Sequence, residues 1–129
     1  MCGPGCGYGP AGQASEPVEV PIACTLPAGE MKARLGEFEQ LFAQALTGWR
    51  REPLVLRLEL RGGVEERARA LLAAEAECCA FLGFEVEGGQ EGLLVTVTAP
   101  PEAGAALDGL QELAEGRASA AQVAAGWPR

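Results

Sequence analysis

Apolar and polar residues alternate in four short segments of the chain, a pattern typical of strands that bury one face. These segments are 18–24, 54–60, 84–87 and 93–98. The alternation of the first segment puts Cys24 on its inward face, at the end of the strand. The last two segments flank a glycine-rich turn, so together they predict a β-hairpin.

Three longer segments repeat apolar residues every three or four positions, which predicts amphipathic helices. The first extends from Pro27 to near Gly48, the second from Val64 to Leu82, and the third from Pro100 to Gly116. Proline suits the first turn of a helix, and glycine commonly follows the last turn. Beyond the third helix, an alanine-rich stretch predicts a short further helical segment that ends at Trp127.

The predicted elements follow one another in the order βαβαββα. A strand–helix–strand start implies a right-handed crossover between parallel strands, and the hairpin adds antiparallel pairing. Each strand has one polar face, so the helices are expected to cover a single side of the sheet. We therefore predict an α/β (α+β) fold, a two-layer sandwich with a mixed four-stranded sheet and helices on one face.

The composition changes along the chain and predicts three regions. Residues 1–16 consist mostly of Gly, Pro, Ser and other small residues, which cannot form a packed element. We expect them to be a flexible arm that carries the sequence Cys-Gly-Pro-Gly-Cys, with thiols at Cys2 and Cys6. Residues 17–115 are predicted to be a single α/β domain, and residues 116–129 a C-terminal tail.

Charge and composition exclude several classes of function. The chain has 129 residues, a formal net charge of −8 and no histidine. Its acidity and the lack of a basic stripe argue against nucleic-acid binding. No segment is apolar enough to span a bilayer and no signal-peptide pattern is present, so a cytoplasmic protein is expected. Without histidine, there is no Ser-His-Asp arrangement and no imidazole ligand.

Three cysteines are the main candidate for chemistry. Cys78 and Cys79 lie on the apolar stripe of the second predicted helix, and Glu75 shares that face. Cys24 approaches from the sheet, just before a helix N-terminus, where the dipole favours thiolate. Because the sheet face and the helix stripe meet in a two-layer fold, we expect the three sulfurs to converge into a site for a soft metal ion. The alternative is inert packing, since free cysteine often behaves as a small hydrophobic residue.

The cysteines of the arm allow two interpretations. Cys2 and Cys6, on a Gly/Pro tether, could capture an ion and pass it inward by ligand exchange, as transfer ligands. The plainer interpretation is a flexible tail in which both cysteines are incidental.

Part of the chain resembles a known family. The resemblance rests on three segments, Cys24-Thr25-Leu26, Glu75-Ala76-Glu77-Cys78-Cys79-Ala80-Phe81 and Val95-Thr96-Val97-Thr98-Ala99-Pro100-Pro101-Glu102. They resemble a small bacterial cysteine-pair domain, with the motif Glu-x-Glu-Cys-Cys-x-Phe, that occurs with or fused behind MerR-type regulators in heavy-metal resistance clusters. The resemblance covers roughly residues 22–113. Members of that family often carry proline at the position of Ala80.

The resemblance implies binding of mercury or a similar thiophilic ion, with Cys24, Cys78 and Cys79 as the matching positions. The leading hypothesis is therefore a protein that holds a soft ion for resistance, sequestration or transfer. Hg(II) is the favoured ion, with As(III) and Cu(I) as further candidates, and a resistance protein or regulator is a candidate partner. Glu75 is expected beside the site as a proton acceptor during binding.

Two further hypotheses stay open at this point. The first is an enzyme that cleaves organomercurials, in which the same thiols hold mercury and Glu75 protonates the departing carbon. The second is a sulfur carrier with a persulfide on Cys24, since a cysteine between a strand and a helix resembles the arrangement in sulfur-relay proteins. The Cys-Pro-x-Pro motif of those proteins is missing here.

Overall fold

The computed structural model describes residues 24–128. The helices are α1 (Ala28–Ala45), α2 (Glu65–Cys78), α3 (Gly104–Glu115) and α4 (Ala120–Ala125), and the strands are β1 (Leu46–Glu52), β2 (Val55–Arg61), β3 (Gly83–Gly89) and β4 (Gly92–Thr98). A single 3-10 turn, Pro101–Ala103, leads into α3. The arm predicted over 1–16, with Cys2 and Cys6, and the strand predicted ahead of Cys24 lie outside the described residues.

The four strands form one sheet in the order β1-β2-β4-β3. Leu56, Leu58 and Leu60 of β2 are buried, and each lies opposite a buried residue of β4. The residues between them face the other side and are more exposed. Helices α1, α2 and α3 all contact the sheet. The predicted two-layer α/β fold with four strands and helices on one face is confirmed.

The strand pairing differs from the predicted mixed sheet, because every described pair is antiparallel. The reason lies in β1, which begins at Leu46, within the segment that is predicted to continue the first helix to near Gly48. This strand carries polar or charged side chains on both faces, so it shows no alternation that would predict a strand. It pairs with β2 across a turn at residues 53–54, and so short a connection permits only antiparallel pairing.

The end of α2 also differs from the prediction. The helix ends at Cys78 instead of Leu82, and β3 begins at Gly83. The backbone N–H of Cys79 still donates to the carbonyl of Glu75, at 2.7 Å, but the backbone of Cys79 is no longer helical, with φ −119° and ψ 69°. The two adjacent cysteines therefore lie on either side of a helix terminus.

Helix α3 and the region after it follow the predicted pattern. The inner face of α3 is buried at Ala106, Leu107, Leu110 and Leu113. In the tail, α4 begins at a capping box in which Ser119 and Gln122 each bond the other's backbone N–H. The apolar face of α4 packs on α1 and α3. Among residues 24–128, no helix has both the length and the apolar character needed to cross a membrane.

The segment before α1 is anchored to two distant parts of the chain. The backbone N–H of Cys24 donates to the carbonyl of Pro128, at 3.0 Å, and that of Thr25 donates to the carbonyl of Cys78, also at 3.0 Å. These two bonds place Cys24 between the C-terminal segment and the end of α2. Although Cys24 is not in a strand, it therefore lies next to the paired cysteines.

Candidate metal centre

Two of the predicted sulfur ligands meet in the interior, together with a carboxylate. The Sγ atoms of Cys24 and Cys79 and one carboxylate oxygen of Glu75 all lie within 4.8 Å of one another. All three residues are buried, with Cys79 at 0% exposed and Glu75 at 1%. The cysteines are free thiols. This Cys/Glu/Cys group is the candidate metal-binding group in residues 24–128.

Hydrogen bonds hold both thiols of the group in place. The thiol of Cys79 donates to Oε2 of Glu75 at 3.1 Å, and Nε1 of Trp127 donates to its sulfur at 3.4 Å. The sulfur of Cys24 interacts with the thiol of Cys79 and accepts from the backbone N–H of Leu26. The ligand atoms are thus oriented by contacts from three separate parts of the chain before any ion binds.

The buried carboxylate has a cationic partner that sequence analysis missed. Nη1 of Arg34, on α1, lies 3.1 Å from Oε1 of Glu75. A buried charge is costly unless it is paired, so a glutamate on an apolar helix stripe indicates that a cation must come from elsewhere. The sequence thus indicates that a cation is needed, but it does not identify Arg34 as that cation. The contact of Trp127 with Cys79 is likewise not predicted by the sequence, which indicates only that a helical segment ends at Trp127.

Burial governs the protonation of the two sulfurs. Burial raises the pKa of the Cys79 thiol, and its hydrogen bond to Cys24 raises that pKa further, against the lowering effect of Trp127. Burial also raises the pKa of Cys24, although its bonds with Cys79 and Leu26 act in the opposite direction. Burial of Cys24 therefore acts against the thiolate that a position just before a helix N-terminus favours. An ion that binds both sulfurs has to displace their protons.

Cys78 makes contacts that differ from those of the other two thiols. Its sulfur accepts from Nη1 of Arg34 at 3.3 Å and donates to the carbonyl of Ala74 at 3.1 Å. It is not a member of the group, in which Glu75 occupies the third position instead. Consecutive residues on a helix are about 100° apart, and the helix ends between the two cysteines, so their side chains reach different surroundings. The group in the structure therefore holds two of the three expected sulfurs together with a carboxylate, and a site with all three sulfurs stays a prediction.

Comparisons of the chain with protein-family models, with curated proteins and with solved structures find no match. The resemblance to the cysteine-pair domain of metal-resistance clusters therefore stays a prediction. The function of the protein has to be inferred from the chemistry of Cys24, Glu75 and Cys79.

Proposed function

We propose that this protein binds a soft, thiophilic metal ion, preferably Hg(II), through the sulfurs of Cys24 and Cys79. The observation that carries the proposal is the buried Cys/Glu/Cys group, whose ligand atoms lie within 4.8 Å of one another. Metal–thiolate bonds of about 2.3 Å allow two sulfurs on one ion to be up to about 4.6 Å apart. Thiolates select soft ions, and the chain offers no imidazole that would favour another metal.

The number of sulfurs in the group favours Hg(II) over As(III). Hg(II) is satisfied by two thiolates, whereas As(III) takes three sulfur ligands. The third candidate sulfur, on Cys78, is not in the group. As(III) binding would need Cys78 to leave its contacts with Arg34 and Ala74 and turn inward.

The charge of the site favours Hg(II) over Cu(I). Glu75 and Arg34 already form an ion pair, so their charges compensate each other. Two thiolates neutralise a doubly charged ion, but they leave one net negative charge with a singly charged ion. Because an uncompensated buried charge is costly, the neutral complex is the more stable one. We further propose a role in resistance to that ion, by sequestration or by transfer to a partner protein.

Titration of the reduced protein with Hg(II), in competition with a monothiol, tests the proposal. The variants Cys24→Ser and Cys79→Ser are compared with the matched control Cys78→Ser, all with Cys2 and Cys6 replaced by serine. We expect one ion per chain in the parent and the control. Affinity should fall about 100-fold or more in the other two variants, because the second intramolecular sulfur is lost. Unchanged affinity in either of those two variants would contradict the proposal.

One contact also favours the organomercurial-cleaving enzyme as a second candidate function. The thiol of Cys79 donates to Oε2 of Glu75, so a proton displaced by mercury has an acceptor at 3.1 Å. That proton could then move from Glu75 to the departing carbon as the mercury–carbon bond breaks and a carbon–hydrogen bond forms. The sulfur-carrier hypothesis for Cys24 gains no such contact and stays a prediction.

Incubation with phenylmercury separates the two functions. An enzyme releases benzene with multiple turnovers in the presence of a monothiol, and Glu75→Gln removes the acceptor, so turnover should stop while mercury still binds. A protein that only binds the ion retains phenylmercury and releases no benzene, which would reject catalysis and leave the metal-binding function standing.

A further inference from the structure

An open groove next to the candidate metal centre has one thiol in its wall. Its volume is about 280 Å³, and it is lined by Thr25, Leu26, Arg34, Ala74, Glu77 and Cys78. Neither Cys24 nor Cys79 contributes to this lining. A molecule in the groove therefore contacts Cys78, but neither Cys24 nor Cys79.

The groove and the buried group share a wall. Cys78 is joined directly to Cys79, and Nη1 of Arg34 contacts both the sulfur of Cys78, at 3.3 Å, and Oε1 of Glu75, at 3.1 Å. Arg34 also lines the groove, and its guanidinium carries further N–H donors for a polar occupant. An ion on Cys78 would thus be adjacent to the group formed by Cys24, Glu75 and Cys79.

This arrangement explains how a metal ion that is carried by small thiols in solution could reach the buried sulfurs. In solutions that contain thiols, a soft ion travels as a complex with two small thiolates and moves by exchange, in which an attacking sulfur replaces a leaving one. Cys79 is 0% exposed, so a complex of that size cannot reach it from solvent. Cys78 is buried as well, at 7% exposed, but it is the one of the three cysteines that lines the open groove. An exchange reaction needs a sulfur that borders both the solvent and the interior.

We propose that Cys78 is the receiving thiol of the site, which takes a soft ion from a small-molecule bis-thiolate complex in the groove and passes it to Cys79 and Cys24. This inference rests on the proposed metal-binding function.

In the first step, a bond forms between the Cys78 sulfur and the ion, one carrier sulfur–metal bond breaks, and the Cys78 proton leaves with the carrier thiol. In the second, Cys79 and Cys24 bind the ion, the second carrier leaves as a thiol, and Cys78 regains a proton. The oxidation state of the ion does not change.

Stopped-flow loading with Hg(II) as its bis-complex with 2-mercaptoethanol tests this role. Trp127 reports arrival at the inner site, because its Nε1 donates to the sulfur of Cys79 and a bound heavy ion quenches its fluorescence. Trp49→Phe removes the other tryptophan, and Cys2 and Cys6 are again serine. We expect Cys78→Ser to slow loading about 10-fold or more, since intramolecular delivery is lost, with stoichiometry and affinity unchanged.

A second variant keeps the test independent of the cysteine itself. Ala74→Leu fills the groove without altering any sulfur, and should slow loading as well. Ala76→Leu is the matched control, since Ala76 is an exposed residue on the same helix. It lines a different depression, whose other lining residues include Arg69 and Phe84. Its loading rate should equal that of the parent.

The possible results are distinct. Equal loading rates in the parent, Cys78→Ser and Ala74→Leu would overturn the receiving role and leave the proposed function intact. A loss of affinity in Cys78→Ser as large as that in Cys24→Ser would overturn it in favour of Cys78 as a ligand. A parent protein that binds no Hg(II) would overturn the proposed function, and this inference with it.

Discussion

At the scale of single residues, two adjacent cysteines have different chemistry because a helix ends between them. Cys79 is enclosed by Cys24, Glu75 and Trp127, whereas Cys78 borders an open groove and contacts Arg34. Here the pair divides into an inner ligand candidate and an outer thiol.

The buried thiol of Cys79 makes the stability of the reduced, metal-free protein depend on alkaline pH. Its pKa is raised in the folded state from the ordinary value of 9.0, so the folded state holds the proton more tightly than the unfolded state does. This contribution is complete below about pH 9 and is lost progressively as the pH rises above it. We expect a loss of about 1.4 kcal/mol in the free energy of unfolding for each pH unit there.

Urea unfolding near neutral pH and at about pH 10, in the presence of reductant, measures this loss. Cys79→Ala should flatten the dependence, although not abolish it, because the pKa of Cys24 is raised too. An equal alkaline loss in the parent and in Cys79→Ala would show that Cys79 is not buried as a neutral thiol.

At the scale of elements, the contact between α3 and α4 positions the indole that bonds Cys79. Gly109 of α3 is buried against α4, where an added Cβ would lie 2.8 Å from Cγ1 of Val123 and 3.5 Å from the ring of Trp127. Glycine is therefore required here for close approach of the two helices. The absence of one side chain on α3 allows Trp127 to reach the sulfur of Cys79.

Gly109→Ala should destabilise the protein by about 1–3 kcal/mol, since the new methyl group overpacks the contact between α3 and α4. The matched control is Gly104→Ala at the start of α3, where a Cβ meets nothing within 4 Å. Its higher helix propensity should leave stability unchanged or slightly increased. Urea unfolding of both variants checks the prediction, and similar stabilities would mean that α4 does not pack as described.

At the scale of the whole molecule, the candidate metal centre joins parts of the chain that are far apart in sequence. Cys24 precedes α1, Cys79 follows α2, and Trp127 and Pro128 lie at the C-terminal end. An ion on both sulfurs would link the segment before α1 to the end of α2. Ion binding should therefore stabilise the entire fold.

We expect Hg(II) to raise the thermal unfolding midpoint of the parent protein and of Cys78→Ser. A free ion concentration of 100 times Kd adds about 2.7 kcal/mol, provided that the unfolded chain does not bind the ion. Cys24→Ser and Cys79→Ser should show a smaller increase, because their affinity for the ion is lower. Scanning calorimetry at the same free ion concentration provides the measurement, and an equal increase in all four proteins would indicate binding elsewhere.

The sequence alone determined the local elements and most candidates for the site. Period-two alternation predicted β2 and the β3–β4 hairpin, and helical spacing predicted α2 and α3, because each signal lies within a single segment. The same reasoning selected Cys24, Cys78 and Cys79 as ligands with Glu75 beside them, since residues on one face of an element share an environment. It failed for β1, whose polar sequence shows no period and whose strand conformation depends on pairing with β2.

The tertiary structure alone decided which groups meet. Arg34 pairs with Glu75 across 41 residues, and Trp127 reaches Cys79 across 48. No periodicity connects such positions, because long-range contacts depend on how the elements pack. Packing likewise separated Cys78 from Cys79 and placed Glu75 with the two buried sulfurs. The residue types therefore determined which candidate ligands the chain offers, and the fold decided which of those ligands meet.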